Sequence, residues 1–173
     1  MCWLGASQTA DGARIHRFCA SSVRASEEVP SILRFACGEL ESELPWAGVV
    51  GLLGETVARL DDAARRALFA GVAAPAATLF ADPVRAAGAQ ADAFSIIHAL
   101  YLVTGGLARQ VPLLLVLDDA HWCDPRSLQF VLYLQRRLSR LRAGLVLAAR
   151  PQMGSDQRDL LDRRRNRRSE RTG

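Results

Sequence analysis

Residues 111–125, VPLLLVLDDAHWCDP, constrain this chain more than any other stretch. Residues 111–117 are almost entirely apolar and run straight into two adjacent carboxylates, Asp118 and Asp119. A short, continuous apolar run reads as a strand buried on both faces, as in a parallel sheet covered by helices. Such a strand cannot hold carboxylates in its middle, so the pair must emerge at its carboxyl end. In open α/β sheets that end is where ligands bind. Two acids there suit a magnesium ion and an attacking water. One carboxylate would hold the metal, and the other would orient or deprotonate the nucleophile. This is the Walker B pattern. Taken alone it is a weak motif, since a strand ending in a solvated turn has the same letters.

The residues that follow narrow the choice. Asp124-Pro125 is an N-cap and first-turn proline pair. Leu128, Val131, Leu132, Leu134, Leu138 and Leu141 then repeat at helical spacing. Gly144 would end that helix, with Arg140 and Arg142 in its last turns. Residues 145–149 form a second apolar run, which ends in Arg150-Pro151. The order is strand, acid pair, helix, strand, arginine, which is a βαβ unit with charged groups at both strand ends.

These residues resemble a known family. LLLVLDDAHWCDPRSLQFVLYLQRRL, followed by LVLAARP, is similar to the ATP-binding domain of the large LuxR-family transcriptional regulators, AAA-like, STAND-type P-loop ATPases of bacteria. The segment DDAHW-x-D-x-x-S-L is the distinctive part. RFACGELESELPWAGVVGLL, residues 34–53, resembles the family's second strand and the helix after it. Residues 92–107 resemble the helix before the Walker B strand. The resemblance covers residues 33–151. It implies an α/β, AAA-like three-layer fold with a parallel sheet, and ATP and Mg2+ as cofactors. It implies Asp118 as the metal ligand and Asp119 as the catalytic carboxylate. Arg150 would be a γ-phosphate sensor, because its planar fork pairs with phosphate oxygens. The bland reading of Arg150 is a surface arginine before a turn.

A length of 173 residues allows one domain with a sizeable core. Half the residues are apolar and 6% aromatic, which places the chain among globular proteins. No apolar stretch is long enough for a transmembrane helix, and no basic-then-apolar start suggests a signal peptide. Cys2, Cys19, Cys37 and Cys123 are scattered without metal-binding spacing, so they read as reduced thiols of a cytoplasmic protein.

All 22 basic residues are arginine. A P-loop needs G-x-x-x-x-G-K-[ST], whose lysine reaches the β/γ-phosphates while its hydroxyl ligates magnesium. This sequence holds no lysine to supply. In relatives the loop precedes the second strand, expected here from Ile32, which puts it at residues 5–12, GASQTADG. Gly5 matches the first glycine. Ala10 replaces the second, Asp11 the lysine and Gly12 the hydroxyl residue. A carboxylate beside a triphosphate repels it. The Walker A strand, reduced to residues 1–4, and its loop are therefore expected to be degenerate or missing. The alternative is that residues 1–31 are an unrelated start.

The expected organisation is a degenerate or unrelated segment 1–31, a partial AAA-like domain 32–151, and an arginine-rich tail 152–173. Residues 13–31 are weakly patterned, and 33–37 read as a short strand. A helix from Trp46 carries Gly48, Gly51 and Gly54, each costing about 1 kcal/mol relative to alanine unless it permits close packing. Asp61 caps a helix through Phe69, and residues 73–80 read as helical. Residues 91–108 form a helix with Phe94, Ile97, Leu100, Tyr101 and Leu107 inward. His121 reads as a loop-packing residue rather than a metal ligand, Trp122 as a hydrophobic plug and Asp124 as a cap. The tail, with six arginines between Arg163 and Arg171, reads as disordered rather than as a nucleic-acid contact.

The functional expectation is a truncated ATPase domain of a LuxR-family regulator, with Walker B but no working Walker A and little or no hydrolysis of its own. The alternatives are a non-catalytic interaction module and a gene remnant. DNA is not an expected partner, because no helix-turn-helix is present. Self-association, or pairing with a related regulator, is expected through an open sheet edge at residues 145–149.

Overall fold

A computed structural model of the chain describes residues 2–8, 14–21, 30–82 and 92–149, the first two segments as backbone alone. Among these residues its sheet has five strands: β1 (Cys2–Gln8), β2 (Arg14–Ser21), β3 (Ser31–Ala36), β4 (Leu113–Asp118) and β5 (Ala143–Ala149). They lie in the order β1-β2-β5-β4-β3. β3, β4 and β5 are parallel, with the acid-pair strand in the middle. β2 and β1 continue the sheet antiparallel.

The expectation of β4 buried on both faces gives way to an alternation. Leu113, Leu115 and Leu117 are buried, while Leu114, Val116 and Asp118 are half-buried. The register places Leu33, Leu115 and Leu145 in one row on the buried face. Burying each such side chain contributes about 1.5–3 kcal/mol. Helix α1 (Ala47–Ala58) lies on this face, so close that a Cβ on Gly51 would fall 2.3 Å from the Phe35 ring. The close approach accounts for glycine inside a helix. Arg34, Val116 and Val146 form a row on the opposite face, where Ile32 is 62% exposed. Among the described residues the helices gather on one side. α5 (Pro125–Gln135) packs on α1, and α4 (Ala93–Gln110) packs on α5.

The helix after the acid pair is shorter than its leucine spacing suggests. α5 stops at Gln135, a 3-10 turn covers Leu138–Arg140, and β5 already starts at Ala143. Leu138 is buried from that turn, so it mimics one more helical turn in the sequence. Gly144 sits within β5 and ends no helix. The chain has to leave the helix early because ladder pairing with β4 begins opposite Leu113, whose N–H reaches Arg142 O at 2.9 Å.

Asp92 caps α4 through the Phe94 and Ser95 N–H groups. The Ser95 hydroxyl, and then these backbone bonds, hold the Asp92 carboxyl below the usual range. Phe94, expected inside, is 61% exposed. It stands in the first turn, where it meets His98 and Tyr133 in a surface aromatic cluster. Asp61 caps α2 (Asp62–Leu68) as expected. The alanine-rich stretch divides into a 3-10 turn, Gly71–Ala76 with Pro75 inside, and α3 (Ala77–Ala81).

The largest difference lies at the start of the chain. β1 runs through Gly5 to Gln8, where the degenerate loop was expected to begin, and the weakly patterned residues that follow include β2. β2 pairs with residues 144–149 of β5, so the edge expected to stand open is covered by β2. The outer strands of the sheet are β1 and β3. Asp11, Gly12, Arg150 and the arginine tail lie outside the described residues. No described helix is long and apolar enough to cross a membrane.

Candidate functional site

The acid pair stands at the carboxyl end of β4, as the sequence requires. Asp118 is the last residue of the strand, directly opposite Ala36 at the end of β3. Both of its carboxylate oxygens are engaged. Oδ1 accepts the Asp119 N–H at 3.1 Å, and Oδ2 accepts Arg34 Nη2 at 2.8 Å. Arg34 comes from β3, on the same sheet face, and its side chain is 67% exposed.

Asp119 leaves the strand in the left-handed region, with φ 47° and ψ 41°. For a residue with a Cβ this conformation is costly and is held by its surroundings. It turns the chain into a 3-10 segment, Ala120–Trp122, closed by Trp122 N–H to Asp119 O at 2.8 Å. The turn brings His121 Nδ1 to 3.8 Å from Asp119 Oδ1 and sets the imidazole at a tilt against the Trp122 ring, centroids 5.2 Å apart. His121 thus packs the loop, as expected, and also faces the second acid. Trp122 is 37% exposed and does not plug the core.

Asp124 is buried and acts as a cap twice over. It accepts the Ser127 N–H at 2.9 Å, which starts α5. It also accepts the Trp46 and Gly48 N–H groups, at 2.8 and 3.1 Å, which start α1. Ser127 Oγ adds a bond from the Val49 N–H at 3.0 Å. A polar knot thus fixes the N-termini of both helices beside the acid-pair loop. Cys123 joins the same knot. Contact with the Cys37 thiol, then burial, pushes the Cys123 thiol well above its ordinary value, so it stays protonated. Two cysteines that look scattered in the sequence are neighbours here.

Sequence reasoning missed Arg34, Ser127 and the Cys37–Cys123 contact. Ser127 had a signal, three residues after the Asp124 cap. The other two had none, since Arg34 lies 84 residues from its partner. Among the described residues no group of three or more histidine, cysteine or acidic side chains is arranged to hold a metal ion. One oxygen of the Asp118 carboxylate is already engaged by the Arg34 guanidinium, which any metal there would have to displace.

Three parallel strands with an acid pair on the middle one, and helices packed against them, make a partial P-loop NTPase-like fold. A family model described as the AAA ATPase domain matches residues 15–147, and the chain belongs to that family. Nucleotide and Mg2+ use is general to the family. No curated protein and no solved structure matches the chain.

Proposed function

We propose that this chain is an ATP-binding domain of the LuxR-regulator type that keeps the acid pair but binds nucleotide poorly. The observation that carries the reading is DDAHW-x-D-x-x-S-L at the end of β4 in a chain without a single lysine. In the parent activity Asp118 is the metal carboxylate, Asp119 orients the attacking water and Arg150 senses the γ-phosphate. Affinity for a triphosphate in this fold comes mostly from amides at a helix N-terminus, a lysine and a hydroxyl on the metal. β2 runs antiparallel beside β5 and the chain offers no lysine, which supports a weak nucleotide site. A protein-interaction role is the second reading, favoured by the outer strand β3 and its exposed Ile32. A second copy or a related regulator would add a strand there.

Calorimetry with Mg-ATP tests the first reading. No binding is expected below about 1 mM, where only about 4 kcal/mol is available. Hydrolysis should not exceed background, and Asp119→Ala should change neither result. Micromolar binding that is lost on Asp118→Ala would overturn the reading and make Arg150 the first residue to examine for a replacement phosphate contact.

A further inference from the structure

The charge on Asp118 is already compensated from within the chain. Arg34 Nη2 lies 2.8 Å from Asp118 Oδ2, and the remaining oxygen takes the Asp119 N–H. A hard dication would need one of these oxygens, or a water held by them, and would meet a guanidinium at the same place. The strand register makes this contact systematic: Arg34 lies in the row of Val116, two residues before Asp118 on the same face of the neighbouring strand.

We infer that Arg34 is the resident cation of the Asp118 carboxylate and closes it to divalent metal until the guanidinium swings away. The inference rests on the reading of Asp118 as the metal carboxylate. The closure is reversible by construction. The Arg34 side chain is two-thirds exposed on an outer strand, and an ion pair so placed is weak and easily exchanged. The arginine therefore acts as a counter-ion that competes with bare metal, and a ligand that draws the guanidinium away uncovers the acid.

The test uses Mn2+ alone, followed by electron paramagnetic resonance, on the full chain and on R34Q, R34K, D118N and R34Q/D118N. Because Arg34 is exposed, R34Q should keep the parent far-ultraviolet spectrum and melting temperature. The expected result is that R34Q binds Mn2+ at least fivefold more tightly than the parent chain, that R34K behaves like the parent, and that D118N abolishes the gain. A fivefold change corresponds to about 1 kcal/mol, the upper end for an exposed pair. If the parent chain and R34Q bind Mn2+ equally and D118N abolishes both, the role of Arg34 is overturned while Asp118 stands as the metal carboxylate. If neither binds, Asp118 is no metal carboxylate and both readings fall together. Equal gains in R34K and R34Q would overturn the charge argument.

Discussion

Asp124→Ala should remove a large share of this domain's stability, and the loss should far exceed that of an ordinary helix cap. One carboxylate serves three backbone N–H groups at two helices: Trp46 and Gly48 of α1, and Ser127 of α5. Alanine would leave all three buried and unsatisfied. A lost cap costs about 1 kcal/mol, and a buried orphan donor about 1–3 kcal/mol. Trp46 adds to this, because its φ of 71° is in the left-handed region and its N–H bond to Asp124 helps to hold it there. Three such donors sum to about 3–9 kcal/mol, against about 5–15 kcal/mol for a whole domain. Asp124→Asn keeps one acceptor oxygen and should lose roughly half as much. Urea unfolding followed by circular dichroism measures both. A loss below about 1 kcal/mol for the alanine variant would mean that the two helix starts are held by something other than this carboxylate.

Gly48→Ala should also be damaging, and the damage should be curable from a distance in sequence. A Cβ at Gly48 would lie 2.7 Å from Cys123 Sγ and 3.1 Å from Ser127 Cβ. The helix start cannot retreat, because the Gly48 N–H is bound to Asp124. Cys123 cannot retreat either, being buried against Cys37. Overpacking of this kind costs about 1–3 kcal/mol. Cys123→Ala removes the sulfur, so the double variant should recover at least about 1 kcal/mol of that cost in a thermodynamic cycle. Additive losses would show that the clash is relieved elsewhere, at Ser127 or by movement of α1.

The sheet was legible where local letters decide it. The apolar run ending in two acids placed β4 and its acid pair, and Asp124-Pro125 placed the start of α5 within a residue. These signals are short-range: burial along a strand, a cap, a proline. The end of α5 was misread because Leu138 keeps helical spacing while sitting in a turn. Phe94 was misread because an aromatic in a first helical turn gives the same apolar signature whether it faces the core or a surface cluster. β2 was missed because RIHRFCAS has no clean two-residue alternation. The candidate site divides the same way. Asp118 and Asp119 were found from order along the chain, but the arginine on Asp118 comes from another strand, and no spacing rule reaches that far. Arg150 lies just beyond the last described residue of β5, so its sensor role stands on the resemblance alone.

The separation that hid Arg34 also orders the assembly of the molecule. β4, α5 and β5 follow one another within residues 113–149 and pair with each other. β3 and α1 join them only through long-range contacts, with 84 residues between Arg34 and Asp118 and 78 between Trp46 and Asp124. Closing so long a loop adds little to the equilibrium cost, about 0.6 kcal/mol per doubling, but non-local pairing slows the step that makes it. In pulsed hydrogen exchange during refolding, amides of β4, α5 and β5 should gain protection before those of β3 and α1. Simultaneous protection would mean that the two parts fold as one unit. On the expected order Asp118 and Asp119 first stand together as an uncompensated pair of charges, and the arginine reaches them only when the last strand docks.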